Sequence, residues 1–239
     1  MARFYVNPKS LFQNKFLITD RNLCNHLRQV LRISKGAVVE LFDGTGYEYK
    51  AEIRFLDKEQ VSGVILEKKS SEEEYPYIIL AQAFPKAGKA DEIVRMNTEV
   101  GVSEFLFFKS EYSVPQLGSY DDKKIDWMQR VAIEAARQSE RGILPKIRQA
   151  DTFDEMMNVK ADVKLMLHSR SDGTTLDIGE AKKLVGKGKT VLLAIGPEGG
   201  FSPAEIGKAT KAGFKIVHMN LPIMRTETAG VVISSYLIA

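Results

Sequence analysis

Residues 190–203 read TVLLAIGPEGGFSP, and this stretch decides the fold. The apolar run at 190–195 predicts a buried strand, and the glycines and proline that follow it predict a loop. Residues 202–205 (SPAE) have a capping-box pattern with proline at the first helical position, so a helix should follow and end at Gly213. A buried strand, a glycine-rich loop and a capped helix in succession are typical of an α/β fold.

Apolar runs of strand length alternate with helical repeats from residue 77 onward. Apolar residues at helical spacing predict helices around 93–100, 127–135 and 229–237. This alternation predicts a mostly parallel sheet covered by helices. The predicted strands are 77–83, 104–108, 163–168, 190–195 and 215–219.

Residues 1–70 follow a different pattern, because short strands and tight turns predict a small barrel. The charged run at 68–74 (KKSSEEE) has no apolar anchor, so we expect the domain boundary there. The first domain is then 1–70 and the second 75–239. The elements predicted in the first domain are a helix at 25–31, a strand at 38–42, a hairpin turn at 43–46, an alternating strand at 47–55 and a strand at 61–66.

The composition is that of an ordinary globular protein, with 239 residues of which 44% are hydrophobic and 27% charged. The net charge of +3 permits a polyanionic partner without requiring one. No apolar stretch approaches the roughly 20 residues that cross a bilayer, and a signal-peptide core is lacking, so we expect a cytoplasmic protein without membrane contact. With three histidines and the single Cys24, no metal-ligand spacing is present and no metal is expected.

Two loop-like segments, 195–203 and 221–229, follow the last two predicted strands, where open α/β sheets bind ligands. The first has neither the lysine of a Walker loop nor the dinucleotide G-x-G-x-x-G pattern. Glu198 would repel a phosphate, but it suits a ribose hydroxyl or a cationic ligand. S-adenosylmethionine carries an adenosine and a positive sulfonium, so it fits this loop. The alternative is a plain strand-to-helix turn.

The second segment has four polar residues, 225–228 (RTET), before an apolar helix. Arg225 suits a phosphate or an anionic base. The alternative is an ordinary helix start, in which Thr226 or Thr228 is the cap and Glu227 forms a solvated ion pair near the positive helix end. Neither loop decides the function alone.

Together with four further motifs, the two loops resemble the knotted methyltransferases of the SPOUT class, and within it the RsmE family, which methylates N3 of a uridine in 16S ribosomal RNA. The resemblance covers nearly the whole chain. Met96, Ser169, Asn220 and Pro222 depart from the family pattern, although asparagine can adopt the left-handed backbone of the glycine it replaces. The further motifs are residues 26–32 (HLRQVLR), 42–44 (FDG), 98–102 (TEVGV) and 132–139 (AIEAARQS).

The resemblance implies an α/β fold with a SPOUT-type parallel sheet and a C-terminal trefoil knot, preceded by a PUA-like β-barrel RNA-binding domain. It implies S-adenosylmethionine as the cofactor. Arg225 and Glu227 are the implied catalytic residues: Arg225 stabilises charge on the base or its phosphate, and Glu227 orients Arg225 or accepts the N3 proton. The residues expected to bind the cofactor are Leu167, His168, Ile195, Gly196, Pro197, Glu198, Gly199, Gly200, Met219, Leu221, Ile223 and Met224.

The partners implied are 16S rRNA in the 30S subunit and a second copy of the chain in a homodimer. For each basic residue the alternative is a solvated surface charge, and Arg137, Gln138 and Arg141 suit a second subunit as well as RNA. Two other functions stay open: a SPOUT methyltransferase acting on tRNA ribose, and an RNA-binding assembly factor without catalysis. The residues expected to contact RNA are Arg28, Arg32, Lys86, Lys89, Arg95, Arg137, Gln138 and Arg141.

Overall fold

The chain folds into two units in the computed structural model, which describes residues 2–86, 88–113, 120–168 and 175–239. The first unit contains Met1–Glu73 and Ala136–Leu144, and the second contains Glu74–Ala135 and Pro145–Ala239. The segment Ala136–Leu144, which the sequence assigned to the second domain, is therefore part of the first unit. Ser169, one of the departures from the family pattern, lies outside the described residues.

The first unit is built on a six-stranded sheet. Its strands are β1 (Arg3–Tyr5), β2 (Leu11–Phe12), β3 (Lys15–Ile18), β4 (Val38–Phe42), β5 (Tyr47–Leu56) and β6 (Val61–Ser70). Their order is β1-β4-β5-β6-β3-β2, with β1 parallel to β4 and the other neighbours antiparallel. No pairing between β1 and β2 occurs among the described residues, so closure into a barrel stays a prediction.

The helix of the first unit starts earlier than the sequence suggested. Helix α1 (Arg21–Asn25) begins before residue 25 because the Asp20 carboxylate caps it, accepting hydrogen bonds from the backbone N of Asn22 at 2.8 Å and of Leu23 at 3.2 Å. A wider helical turn, His26–Val30, continues the helix.

Strand β5 alternates as expected only in its middle, where Tyr49, Ala51 and Ile53 are buried. Tyr47 and Phe55, which the pattern predicts on the same face, are 40% and 45% exposed. A register shift between Ile53 and Phe55 takes Phe55 out of the alternation. Tyr47 lies at the end of the strand, where its ring contacts the Lys68 ammonium.

The second unit is built on a seven-stranded sheet. Its strands are β7 (Tyr77–Ala83), β8 (Glu104–Phe108), β9 (Lys146–Ala150), β10 (Val163–Leu167), β11 (Leu176–Asp177), β12 (Thr190–Ile195) and β13 (Lys215–His218). They lie in the order β11-β13-β10-β12-β7-β8-β9, and every neighbouring pair is parallel. The parallel sheet and its five predicted strands are confirmed.

The two edge strands were not predicted, because neither has an apolar run. Strand β9 reads KIRQA, in which only the second and last residues are apolar, and β11 has only two residues. Both lie at the edge of the sheet, where one side of a strand meets solvent and an apolar run is not required.

Helices pack on both faces of the parallel sheet. Ile78 and Leu80 of β7 face one hydrophobic cluster, and Ile79 and Ala81 face another on the opposite side. The helices along this part of the chain are α2 (Lys89–Glu99), α3 (Asp122–Gln138), α4 (Phe153–Met157), α5 (Ile178–Lys182), α6 (Pro203–Lys211) and α7 (Thr226–Ile238).

Candidate functional site

A cavity of about 630 Å³ lies at the carboxyl ends of three neighbouring parallel strands, β13, β10 and β12. Open α/β sheets bind ligands at this edge. All residues predicted to bind the cofactor line this cavity, together with Arg225. The full lining is Leu167, His168, Ile195, Gly196, Pro197, Glu198, Gly199, Gly200, Phe201, Met219, Leu221, Pro222, Ile223, Met224, Arg225, Thr226 and Ala229.

The cavity is formed mainly by two loops. We call residues 196–202 the first loop and residues 219–225 the second loop. They are tied together by Thr226, whose Oγ1 donates a hydrogen bond to the carbonyl of Gly196 at 2.7 Å. Gln82, fully buried in β7, donates from Nε2 to Thr226 Oγ1 at 2.9 Å. No role was predicted for Gln82, although a polar residue inside an apolar run indicates that its side chain has a hydrogen-bond partner.

Glycine suits the backbone at two positions of the first loop. Gly200 has φ +73°, and its backbone N donates to the carbonyl of Pro197 at 2.9 Å, which closes a tight turn. A Cβ on Gly196 would lie 3.2 Å from the backbone of Gly200, which cannot move aside as a side chain would. The first loop is therefore folded back on itself.

The capping box predicted after the first loop is confirmed. Ser202 Oγ accepts a hydrogen bond from the backbone N of Glu205 at 3.2 Å, and the Glu205 carboxylate accepts one from the N of Ser202 at 2.9 Å. Glu205 also accepts from the backbone N of Glu111 at 2.9 Å. Helix α6 ends at Lys211, and Gly213 has the expected positive φ of +87°.

The second loop is open by comparison. Leu221 is 51% and Ile223 70% exposed. Asn220 was expected to allow a left-handed backbone, but it is not among the described non-glycine residues with positive φ, which are Gln13, Arg32 and Glu140. The loop therefore has an ordinary backbone at the position where the family pattern has glycine.

Arg225 is the N-cap residue of α7, with extended backbone angles and an exposed side chain that makes no capping hydrogen bond. The alternative in which Thr226 or Thr228 caps the helix is wrong, because Thr226 is the first helical residue and its hydroxyl bonds to Gly196. Arg225 therefore lines the cavity with an exposed side chain.

Glu227 is buried, which differs from the solvated ion pair of the alternative interpretation. Its Oε2 accepts a hydrogen bond from Lys89 Nζ at 2.9 Å, and it does not line the cavity. Burial raises the pKa of Glu227, but the bond from Lys89, a backbone bond and the charges of Lys89 and Arg225 outweigh burial and leave the pKa below its ordinary value. A carboxylate held ionised in this way is a weak proton acceptor.

The residues predicted to contact RNA are divided between the two units. Arg28 and Arg32 are exposed in the first unit, where Gln138 is exposed and Arg137 half-buried. In the second unit Lys86 is exposed, and Arg95 pairs with Glu99 at 3.2 Å. Two of these residues are paired with carboxylates: Lys89 pairs with Glu227 and Glu198, and Arg141 is only 8% exposed, with its Nε 2.8 Å from the Glu73 carboxylate. Contact of either residue with RNA stays a prediction.

Within the described ranges, no group of three or more histidine, cysteine or acidic residues is arranged to hold a metal ion. In the same part of the chain, no helix has the length and apolar character needed to span a bilayer.

Comparisons with known proteins agree with this geometry. A family model described as an RNA methyltransferase domain matches residues 72–238, and one described as an RNA methyltransferase PUA domain matches residues 18–66. The chain is 31% identical to the ribosomal RNA small subunit methyltransferase E of Synechocystis, over 95% of this chain and 74% of that protein. It is 29% identical to the Bacillus subtilis protein of the same name, over 90% of this chain and 86% of that protein.

A solved structure shows the same fold. The crystal structure of a ribosomal RNA small subunit methyltransferase E from Neisseria gonorrhoeae, bound to S-adenosyl methionine, matches with a TM-score of 0.84 and 26% identity, covering 99% of this chain and 96% of that chain. The family matches and the structural match each extend over most of the chain. The chain therefore belongs to the ribosomal RNA small subunit methyltransferase E family of RNA methyltransferases.

Proposed function

We propose that this RNA methyltransferase transfers a methyl group from S-adenosylmethionine to N3 of a uridine in 16S rRNA of the small ribosomal subunit. One observation carries the proposal: every residue that the family resemblance assigns to the donor lines a single cavity at the carboxyl ends of three parallel strands. The S-adenosyl methionine bound to the Neisseria gonorrhoeae relative supports the same donor here.

The residues of the cavity fit an adenosyl sulfonium. The cavity volume of about 630 Å³ is within the usual range for small-molecule sites. Leu167, Ile195 and Met224 supply apolar surface for a base, and Glu198 supplies a carboxylate for a ribose hydroxyl or a positive sulfur. A Cβ on Gly200 would meet no atom within 4 Å, so this glycine leaves open space in the lining.

When bound, the donor supplies a methyl group on a positively charged sulfur. We assign Arg225 to the substrate, where its guanidinium stabilises the negative charge that develops on the uracil ring once N3 loses its proton. The lowered pKa of Glu227 and its bond to Lys89 favour a positioning role for this carboxylate over proton acceptance. Proton transfer from N3 is then left to a group outside these two residues.

The organisation we propose has a PUA-like RNA-binding domain at 1–70 and a SPOUT methyltransferase domain at 75–239, whose C-terminal part is threaded into a trefoil knot. The family matches at 18–66 and 72–238 support this division. Arg28 and Arg32 are exposed in the first unit and suit RNA phosphates. By the same family resemblance we propose a homodimer that works in the cytoplasm.

The test uses the purified full-length chain, S-adenosylmethionine carrying a labelled methyl group, and 30S subunits from cells that lack this protein. We expect heat of donor binding in calorimetry and one methylated uridine in 16S rRNA, with mass spectrometry placing the methyl on N3. Methylation of tRNA ribose instead would overturn the substrate. Binding of 30S subunits without donor binding or methyl transfer would favour the assembly factor.

A further inference from the structure

Lys89 is the first residue of α2, and its ammonium group lies between two carboxylates from other parts of the second unit. Nζ is 2.9 Å from Oε2 of Glu227, in the first turn of α7, and 3.4 Å from Oε1 of Glu198, in the first loop. The Glu198 carboxylate also accepts a hydrogen bond from the backbone N of Lys86 at 3.1 Å. Three segments far apart in sequence therefore meet at one ammonium group.

The amino end of a helix is an unfavourable place for a lysine. The helix dipole puts partial positive charge there, so cations are stabilised at the opposite end. Asp91 and Glu92, in the same first turn, follow the usual preference. Because the helix dipole does not favour a lysine at this position, we attribute the position of Lys89 to the two carboxylates that it contacts.

The pairing is protected from solvent. The side chain of Glu227 is only 9% exposed and that of Lys89 26% exposed, so bulk salt screens their attraction less than it would at the surface. The hydrogen bond to Glu227 raises the pKa of Lys89 against the opposing effect of burial. Both groups therefore stay charged at neutral pH, and the bond between them is maintained.

We propose that Lys89 is a positioning residue of the methyl-transfer site, which holds the first loop against the first turn of α7 and thereby fixes Arg225 at the cavity. Glu198 lines the cavity, and Glu227 is two residues after Arg225, so the ammonium group joins the donor side of the site to its substrate side. This inference rests on the proposed function. It replaces the expectation that Lys89 contacts an RNA phosphate.

The test measures kcat and KM for methyl transfer to 30S subunits with the full chain and its Lys89→Met variant. We expect kcat to fall about tenfold, because a small displacement of Arg225 slows the reaction, while KM for 30S subunits and its salt dependence stay unchanged. Lys89→Arg should recover most of kcat, since a guanidinium can bond to both carboxylates. The matched control is Lys160→Met, which removes an exposed lysine and should leave both constants unchanged.

Lys89→Met alone leaves the buried Glu227 carboxylate without its lysine partner. Glu227→Gln removes that charge, so Lys89→Met can also be tested in the Glu227→Gln protein. If Lys89 acts through Glu227, adding Lys89→Met to Glu227→Gln should lower kcat by less than twofold further, and this comparison remains possible even where Lys89→Met alone fails to fold. In Lys89→Met itself, the lysine no longer opposes the effect of burial on the pKa of Glu227, so that pKa should rise. If ionised Glu227 positions Arg225, kcat should then begin to fall at a higher pH on acidification than it does in the wild type.

Each other outcome overturns the inference. A raised KM with a weaker salt dependence and an unchanged kcat would make Lys89 a phosphate contact. Effects of Lys89→Met and Glu227→Gln that multiply would show that the two residues act independently. Wild-type chain that transfers no methyl group to 30S subunits would remove the proposed function and this inference together, whereas active wild type with an unaffected Lys89→Met would remove only the inference.

Discussion

The first and second loops line the same cavity but are built in opposite ways. The first is folded on itself through Gly200 and Pro197, receives a hydrogen bond from Thr226, and leads through the buried Phe201 into a capping box. The second presents Leu221 and Ile223 to solvent. The side of the cavity formed by the first loop, which we call the first wall, is thus preorganised by the fold. The side formed by the second loop, the second wall, presents exposed side chains that can contact the RNA. We infer that the first wall holds the donor through its rigid backbone, and that the second wall contacts the donor as well and presents Arg225 and its exposed side chains to the RNA.

The largest expected effect is that of replacing Arg225, which should change catalysis and leave donor binding nearly unchanged. Arg225→Ala should lower kcat for methyl transfer to 30S subunits by about 100-fold or more, because removing one preorganised group that stabilises developing charge has that order of cost. Donor affinity, measured by calorimetry, should change less than about twofold, since the side chain faces the substrate.

The matched control for this variant is Arg130→Ala, which removes an exposed arginine of α3 and should leave kcat unchanged. An Arg225→Ala protein that binds S-adenosylmethionine much more weakly would mean that Arg225 contacts the donor, and its assignment to the substrate would be lost.

The next largest effect is expected at Gly196, and it tests whether donor binding depends on the tight backbone of the first wall. Gly196→Ala should weaken donor binding by about tenfold, because the new Cβ would lie 3.2 Å from the backbone of Gly200, and that backbone would have to shift by a few tenths of an ångström. Gly207→Ala is the matched control: this glycine lies inside α6, and a Cβ there meets nothing within 4 Å. It should leave donor affinity unchanged and raise helix stability slightly. Equal affinities of the two variants would contradict a preorganised first wall.

Much of the first wall was predictable because its determinants are local. The run 190–195, the glycines, and the capping box of Ser202 and Glu205 all lie within sixteen residues of sequence, by direct count along the chain. Strand β9 was missed for the same reason, since an edge strand reading KIRQA has no local apolar signal.

The ion pairs that position the site could not be predicted, because their partners are distant in sequence. Lys89 meets Glu227 across 138 positions, and nothing near either residue indicates the other. Arg141 was expected on the surface, yet Glu73, 68 positions away, holds it in the first unit. Spacing along a chain reports helices, strands and turns, whereas charge pairing between segments distant in sequence depends on how the fold brings them together.

A smaller effect concerns the Lys89–Glu227 ion pair and how its contribution to stability depends on pH. The folded-state pKa of Glu227 lies below its ordinary value of 4.5, so its ionised form contributes stability that is fully present above that pH. The contribution should be lost as pH falls through the lower folded value. Glu227→Gln should therefore be less stable than wild type at pH 7, and the difference in free energy of unfolding, from urea titrations, should shrink below pH 4.5. A difference that grows on acidification would contradict the pairing with Lys89.

The smallest effect is expected at the tip of the second loop. Ile223 is 70% exposed, so Ile223→Ala should change the free energy of unfolding by less than about 0.5 kcal/mol. Ile195, the last residue of β12 just before the first loop, is 2% exposed, and Ile195→Ala should cost about 2–5 kcal/mol because it leaves a cavity in the core. Ile223 is also predicted to bind the donor. If it packs on RNA instead, its loss should raise KM for 30S subunits about threefold while donor affinity stays the same. Unfolding measured by urea and KM measured on the same two variants decide this, because an exposed side chain that serves only the fold would change stability and leave KM untouched.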